Sequence, residues 1–250
     1  MPSRRGTAVI AAAACALALC AAAAPASGAR LGVDVSRFNG TIDWAAARQA
    51  GVSFAFVQAS RGTGLDCDVK PDNCGPDPLY DANYAAARAA GIRVGPYHRA
   101  FIDPETPAQT RTDALAEANV FLASVGALAP GDLRPVIDFE TPFDGASAAN
   151  LRIWLRTWLR RVGEALRTKP IIYTNASSWS FNGDVREFAK QGHRLWVAEW
   201  GVKRPSVPAR NWAGRSWSVW QYTNSGRLPG FSGPVDLNRL RVRFRKISVR

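Results

Sequence analysis

The 250-residue sequence predicts an α/β fold, an irregular TIM-like (β/α) barrel with eight strands and with helices mainly in the first half. Short, near-continuous apolar runs recur along the chain, as expected for parallel strands covered on both faces. Helical patterns separate the early runs, which is typical of βαβ units. After Thr174 the connections contract to roughly twenty residues, so the later helices of the barrel are predicted to be missing. An open doubly wound sheet is the alternative topology.

Each strand candidate is a short apolar run that ends in polar or aromatic residues. The eight runs are 31–34, 54–58, 93–97, 135–140, 170–174, 195–199, 216–221 and 235–238. Helices are predicted over 44–50, 81–90, 107–122 and 151–166, with one short later helix over 185–191. The fourth helix has the clearest pattern, because its leucine, tryptophan and valine side chains recur at helical spacing on one face.

The N-terminal segment has the pattern of a secretory signal peptide. Arg4 and Arg5 precede an apolar run over 8–24, and small residues follow it. We therefore expect residues 1–29 to be a signal peptide and residues 30–250 to be one catalytic barrel with a short basic tail over 241–250. An uncleaved membrane anchor is the alternative interpretation of the apolar run.

Composition excludes an intrinsically disordered chain, since 47% of the residues are hydrophobic and 10% aromatic. The formal net charge is +12, and removal of Arg4 and Arg5 with the signal peptide leaves +10. A nucleic-acid partner would explain this charge, but no helix-turn-helix, zinc finger or RNA-binding aromatic motif is present. Export to an oxidising compartment favours a disulfide between Cys67 and Cys74, and a metal site is the alternative for this pair.

Two carboxylates end the fourth apolar run. Strand alternation places Val136, Asp138 and Glu140 on one face and the apolar Ile137 and Phe139 on the other. The acids are then expected at the C-terminal mouth of the barrel, where barrel enzymes carry their chemistry. Like charges so close together raise the pKa of one group and make it a candidate general acid. The alternative is a solvated acid pair on an edge strand.

Two further acids are expected at the same mouth. Asp34 closes the first run and Asp236 opens the last, and the first and last strands are neighbours in a closed barrel. Aromatic and amide side chains, which bind sugar rings, cluster near the ends of the later runs. The candidate substrate-binding residues are Tyr97, Tyr173, Glu199, Trp200, Gln221 and Tyr222. Acids and aromatics without metal ligands point to glycoside cleavage that needs no cofactor or metal.

The order of these motifs resembles glycoside hydrolase family 25, the peptidoglycan N-acetylmuramidases or lysozymes. The segments that carry the resemblance are Gly32-Val-Asp-Val-Ser, Gly40-Thr-Ile-Asp-Trp, Gly95-Pro-Tyr-His, Pro135-Val-Ile-Asp-Phe-Glu, Ile171-Ile-Tyr-Thr, Leu195-Trp-Val-Ala-Glu, Trp220-Gln-Tyr-Thr and Val235-Asp-Leu-Asn. They span residues 31–240, nearly the whole chain after the signal peptide.

The resemblance implies a secreted lysozyme that cleaves the β-1,4 bond between N-acetylmuramic acid and N-acetylglucosamine. Glu140 matches the proton donor, Asp138 its acidic partner, and Asp34 and Asp236 the other two acids. Asp138 either orients the substrate's acetamido group, giving retention, or activates water, giving inversion. A peptidoglycan-binding module without catalysis is the alternative function.

The chain departs from the family pattern where Arg61 replaces an acid and where Arg99 follows Tyr97 and His98. These arginines either contact a substrate carboxylate or are ordinary surface residues. The expected partners are peptidoglycan and anionic cell-wall polymers, with no nucleic acid and no membrane after signal cleavage, and we expect a monomer. The tail over 241–250 alternates apolar and basic residues, which predicts a strand with one charged face that either grips wall polymers or is solvated.

Overall fold

The computed structural model describes residues 30–63, 74–102, 106–143 and 145–250. The predicted signal peptide and Cys67 lie outside these residues, so the signal peptide and the Cys67–Cys74 disulfide stay predictions. In the described part of the chain, none of the helices has the length and hydropathy of a membrane span.

The chain forms a closed eight-stranded barrel, as predicted. The strands are β1 (Arg30–Val35), β2 (Phe54–Arg61), β4 (Arg93–Arg99), β5 (Val136–Asp138), β6 (Ile171–Thr174), β7 (Leu195–Ala198), β8 (Val219–Gly226) and β9 (Val235–Leu240), and a two-residue β3 (Gly75–Pro76) pairs with the end of β2. The order around the barrel is β1-β9-β8-β7-β6-β5-β4-β2, and the pairing of β1 with β2 closes it. Six strand pairs around the barrel are parallel: β1 with β2, β2 with β4, β4 with β5, β5 with β6, β6 with β7, and β7 with β8.

The last strand differs from the all-parallel arrangement that the sequence predicts. β9 runs antiparallel to both of its neighbours, β8 and β1. Only residues 227–234 connect β8 to β9, and a parallel return requires a crossover of a dozen or more residues. A hairpin is the connection that this short segment allows, and it brings Asp236 to the same end of the barrel as Asp34.

The long helices all lie before β6, in the first half of the barrel, as expected. The helices are α1 (Trp44–Gln49), α2 (Tyr80–Ala89), α3 (Pro107–Val125), α4 (Ala148–Ala165), α5 (Ala176–Ser180) and α6 (Glu187–Lys190). Four of these helices begin with an N-cap residue whose side chain accepts a hydrogen bond from a backbone N–H group of the first turn. These residues are Asp43 for α1, Thr106 for α3, Ser147 for α4 and Asn175 for α5. The segment Pro208–Ala213 is a left-handed turn, with φ between 50° and 56° from Ala209 to Asn211.

The strands bury one apolar face inside the barrel and the other against the helices. Phe56 stacks on Trp196 inside the barrel, with ring centroids 4.6 Å apart. Ile137 and Phe139 belong instead to the layer that packs against the helices. Gly32 is required beside this interior, because a Cβ there would lie 2.3 Å from the Phe54 ring. The barrel is therefore filled by large side chains, and open space remains at its ends.

The C-terminal tail closes the end of the barrel where the parallel strands begin. Its structure is a 3-10 turn over Phe244–Lys246 and a single bridge between Leu133 and Ser248. Ile247 and Phe244 pack into the interior cluster. The prediction of a strand with one charged face is therefore wrong. The tail turns instead, because its apolar side chains pack into the end of the barrel interior.

Candidate active site

Four carboxylates meet at the end of the barrel where the parallel strands finish. Asp138 is the last residue of β5, and Asp34 lies on β1 directly opposite Asp236 on β9. Glu140 follows β5 by two residues. A cavity of about 110 Å³ has these acids in its wall, together with four further residues. The lining residues are Asp34, Tyr97, Asp138, Glu140, Tyr173, Trp196, Gln221 and Asp236.

Asp34 is held by two amide side chains. Asn238 Nδ2 donates to Asp34 Oδ2 over 2.6 Å, and Gln221 Nε2 lies 3.0 Å from Oδ1 and 3.2 Å from Oδ2. Gln221 Nε2 also lies 3.4 Å from Asp236 Oδ2. Burial raises the pKa of Asp34 well above its usual value, and the charge of Asp236 raises it further, while the two amides oppose the rise.

The Gln221 amide has a fixed orientation. Its Oε1 accepts from Tyr173 Oη over 3.1 Å and from Trp200 Nε1 over 3.0 Å. Because both donors face the oxygen, the amide nitrogen is directed at Asp34 and Asp236. The Trp196 indole fixes Asn238 in the same way, donating to its Oδ1 over 2.7 Å.

Arg99 lies beside the two acids of the β5 end. Its Nε is 3.6 Å from Asp138 Oδ2 and 3.8 Å from Glu140 Oε1. The guanidinium also donates to the carbonyl oxygens of Ala100, Glu140 and Thr141. The arginine is therefore anchored to the backbone and presents its charge to both carboxylates.

Both acids of the β5 end have raised pKa values, for different sets of reasons. For Asp138, burial and then the charge of Glu140 raise the pKa, against the opposing charges of Arg99 and Arg61. For Glu140, burial raises the pKa, while Arg99 and a hydrogen bond with the Asn175 side chain lower it. Asp138 Oδ1 is buried and has no hydrogen-bond partner in the described part of the protein. The pair thus offers a carboxyl group able to carry a proton and an oxygen able to accept a hydrogen bond.

The other predicted site residues lie at different depths. Tyr97 and Tyr173 line the cavity. Trp200 is 49% exposed at its rim. The Glu199 carboxylate accepts from the backbone and hydroxyl groups of Ser206 and is not part of the cavity wall. Tyr222 packs on the outer side of β8, against Trp220 and under the guanidinium of Arg239.

Sequence reasoning missed two residues of the site. Asn175 was not singled out, although an asparagine directly after a strand and before a helix is a typical N-cap, and its Oδ1 accepts from Ser178 N over 2.8 Å. Trp196 lies within a recognised motif, but alternation alone does not tell whether its indole reaches Asn238. Among the described residues, no group of three or more histidine, cysteine or acidic side chains is arranged to hold a metal ion.

Arg61 lies near this site and forms no ion pair with an acid among the residues that the structure describes. Its guanidinium stands 5.6 Å from the Phe38 ring and 4.9 Å from the Phe101 ring. Burial and the charges of Arg99 and Arg37 lower its pKa. Arg61 on β2 and Arg99 on β4 therefore place two positive charges on the same side of the cavity.

Known proteins share this sequence pattern and architecture. Lysozyme M1 of Streptomyces globisporus is 33% identical over 220 residues, which cover 83% of this chain and 66% of that protein. An N,O-diacetylmuramidase of Chalaropsis is 29% identical over 82% of this chain and 95% of its own length. The crystal structure of the bacterial lysozyme from Streptomyces coelicolor superimposes with a TM-score of 0.74 at 31% identity, covering 89% of this chain and 96% of that one. The model of the glycosyl hydrolases family 25 matches residues 33–231, so the chain belongs to that family.

Proposed function

We propose that this glycoside hydrolase is a lysozyme that cleaves the β-1,4 bond between N-acetylmuramic acid and N-acetylglucosamine in peptidoglycan. The observation that carries the proposal is the Asp138 and Glu140 pair, a buried and a partly buried carboxyl group with raised pKa values in one cavity. The names of the relatives, a lysozyme and an N,O-diacetylmuramidase, support the same substrate.

Glu140 is the general acid of this proposal. Burial raises its pKa, so the carboxyl group holds a proton closer to neutral pH than a solvated glutamate does. It donates that proton to the glycosidic oxygen as the bond to the anomeric carbon breaks. The Asn175 hydrogen bond limits the rise and orients the carboxyl group.

Asp138 orients the acetamido group of the substrate. Its Oδ1 is buried without a hydrogen-bond partner, and an acetamido N–H supplies the donor that this oxygen lacks. The acetamido carbonyl oxygen then attacks the anomeric carbon, and water later opens the ring that forms, so the configuration is retained. Activation of water by Asp138 with inversion is the competing route, but it requires the base to lie across the sugar ring from the acid.

Asp34 and Asp236 supply negative charge to the opposite wall of the cavity. The oxocarbenium-like transition state carries positive charge on the sugar ring, which nearby carboxylates stabilise in a partly desolvated site. Gln221 and Asn238 keep Asp34 in place through hydrogen bonds, and Tyr97 and Tyr173 border the space where the sugar ring sits.

The place of action follows from the substrate. The basic, apolar and small-residue pattern of residues 1–29 supports export, so the protein acts outside the cell on the wall. A non-catalytic peptidoglycan-binding module is the second candidate function, and it requires that the carboxyl pair be dispensable.

Wall clearing by Glu140→Gln tests the proposal. The wild type should lower the turbidity of a purified wall suspension, while Glu140→Gln should clear it about 100-fold more slowly or worse, since one general acid contributes that much. Equal clearing by both proteins would exclude Glu140 as the acid, and binding without clearing by either would favour the binding module. Mass spectrometry of the fragments should find N-acetylmuramic acid at the reducing end, because a glucosaminidase leaves N-acetylglucosamine there.

A further inference from the structure

Positive charge collects at the end of the barrel opposite the carboxylates. A cavity of about 800 Å³ opens there between the C-terminal half of α4, the residues that precede β5, β6 and β7, and the end of the tail. Six cationic side chains line it, and one acid, Glu164, accompanies them. The cations are Arg134, Arg156, Arg160, Arg167, Lys169 and Arg250.

Most of these cations have no acidic partner. Arg156 forms a double hydrogen bond with Glu187, with both N–O distances 2.9 Å. None of the other five forms an ion pair with any residue that the structure describes. Burial and the charges of Arg194 and Arg250 lower the pKa of Arg134, whose Nε donates to the carbonyl oxygen of Ser248. The cavity wall therefore contains unneutralised, mutually repelling charge.

The arrangement of the cationic side chains around one cavity indicates the chemical class of the ligand. Guanidinium groups bind phosphate oxygens through paired N–H donors, and several of them around one concavity match a chain of phosphates better than a single small anion. We propose that this cavity binds the phosphodiester groups of an anionic cell-wall polymer. The site is distinct from the carboxylate cavity, and only the choice of a wall polymer rests on the proposed function.

Two other polyanions fit the cavity less well. Nucleic-acid sites on single strands stack bases on aromatic rings, and the cavity wall contains no phenylalanine, tyrosine or tryptophan among its described residues. Membrane-surface sites combine basic residues with exposed apolar side chains, whereas the large exposed hydrophobics of the described chain, such as Phe38 and Trp200, lie outside this wall.

The position of the basic cavity allows a polymer to bind without blocking the carboxylate cavity. Asp138 ends β5 and Arg134 precedes its start, so the two sites lie at opposite ends of the same strand layer. A polymer held at the basic end leaves the carboxylate cavity open to a glycan strand. The protein then stays close to the wall between cleavage events.

Binding to soluble poly(glycerol phosphate) tests this proposal without any glycan cleavage. The variant Arg160→Gln/Arg167→Gln removes two exposed charges from the cavity wall, and Arg48→Gln/Arg111→Gln removes two exposed charges elsewhere. At low salt the cavity variant should bind the polymer about tenfold more weakly than the wild type and should have a shallower dependence of affinity on salt. The control variant should stay within about twofold of the wild type.

The competing ligands give the remaining outcomes. Equal weakening in both double variants would reduce the interaction to net charge and overturn the proposal, as would full displacement of the polymer by inorganic phosphate at the same phosphate concentration. If duplex DNA bound as tightly as poly(glycerol phosphate) and lost the same affinity in the cavity variant, the choice of a wall polymer would also be overturned. Unchanged thermal unfolding and unchanged cleavage of a short soluble glycan by Arg160→Gln/Arg167→Gln would show that the fold and the carboxylate site are intact. The single variant Arg160→Glu, on the exposed face of α4, should weaken polymer binding in the same direction.

Discussion

The Arg99 guanidinium lies 3.6 Å from the Asp138 carboxylate at the mouth of the barrel, and the same side chain is bonded to three backbone carbonyl groups. Asp138 and Glu140 therefore share one fixed cation. A shared cation lowers the pKa of both acids, so it sets the pH range in which one is charged while the other still carries a proton.

Replacing Arg99 by glutamine should move the pH optimum of cleavage upward. Loss of the cation raises the pKa of Asp138 and of Glu140, so both limbs of the profile of kcat/KM against pH should shift to higher pH by about one unit. The control Arg99→Lys keeps the charge and should shift the profile less. A profile for Arg99→Gln that coincides with the wild type would mean that the guanidinium does not influence the reacting acids.

The configuration of the first product tests the role of Asp138. If the acetamido oxygen attacks, NMR of a fresh reaction should show the β anomer first, and Asp138→Asn should lose about 100-fold in kcat while glycan binding is retained. A glycan whose acetamido groups are deacetylated to amines should resist cleavage by the wild type. Initial appearance of the α anomer would exclude the acetamido route and support water activated by Asp138.

The paired acids Asp34 and Asp236 should make the protein less stable as pH rises. Their pKa values are raised in the folded state, so the folded protein holds protons that the unfolded chain releases above about pH 4, and the free energy of unfolding falls toward neutral pH. Asp236→Asn removes one acid and the charge that raises the pKa of Asp34. The loss of stability between pH 4 and pH 7 should then shrink by about 1 kcal/mol.

Urea unfolding at several pH values measures this difference. The control Asp81→Asn changes an exposed acid on α2 and should leave the pH dependence close to that of the wild type. A pH dependence as steep in Asp236→Asn as in the wild type would show that this pair does not bind the extra protons.

Much of this arrangement was predictable from the sequence, because side chains alternate along a strand with period two and successive strand-helix units place consecutive strands side by side. Asp138 and Glu140 point the same way for that reason. The first and last strands are neighbours as predicted, but Asp34 meets Asp236 only because β9 runs antiparallel to β1, a direction that the sequence analysis did not predict. The left-handed turn over Pro208–Ala213 was not predictable. Its residues favour a right-handed helix locally, and tertiary contacts such as Trp212 with Trp179, 4.9 Å between ring centroids, accompany the reversed backbone.

The buried pair of His98 and Glu117 should contribute strongly to stability. Glu117 Oε2 lies 2.6 Å from His98 Nε2, and the same carboxylate accepts from the backbone N–H of Phe101. Burial lowers the pKa of His98 to about 3, so the ring is neutral at physiological pH and donates its Nε2–H to the carboxylate. Ser60 Oγ lies 2.8 Å from the other ring nitrogen.

Glu117→Ala should lower the free energy of unfolding by about 3 kcal/mol, since two buried donors lose their partner. Denaturant titration measures the change, and Glu164→Ala on the exposed part of α4 should cost less than about 0.5 kcal/mol. A loss for Glu117→Ala no larger than that of Glu164→Ala would mean that water replaces the carboxylate at no cost.

The exposed Trp200 indole should bind the glycan and orient Gln221 at the same time. About half of the ring is open to solvent, and its Nε1 donates to Gln221 Oε1. Trp200→Ala removes the aromatic face and should raise KM for a long glycan about tenfold, equivalent to roughly 1.4 kcal/mol of lost contact. Trp200→Phe keeps an aromatic face for the sugar and loses only the hydrogen-bond donor. Because Tyr173 still donates to Gln221, the kcat of this variant should fall less than about threefold.

The control Leu115→Ala changes an exposed apolar residue on α3 and should leave both KM and kcat unchanged. An unchanged KM in Trp200→Ala would place the glycan away from this rim, and a kcat loss in Trp200→Phe as large as in Trp200→Ala would assign the indole to orientation of Gln221 alone.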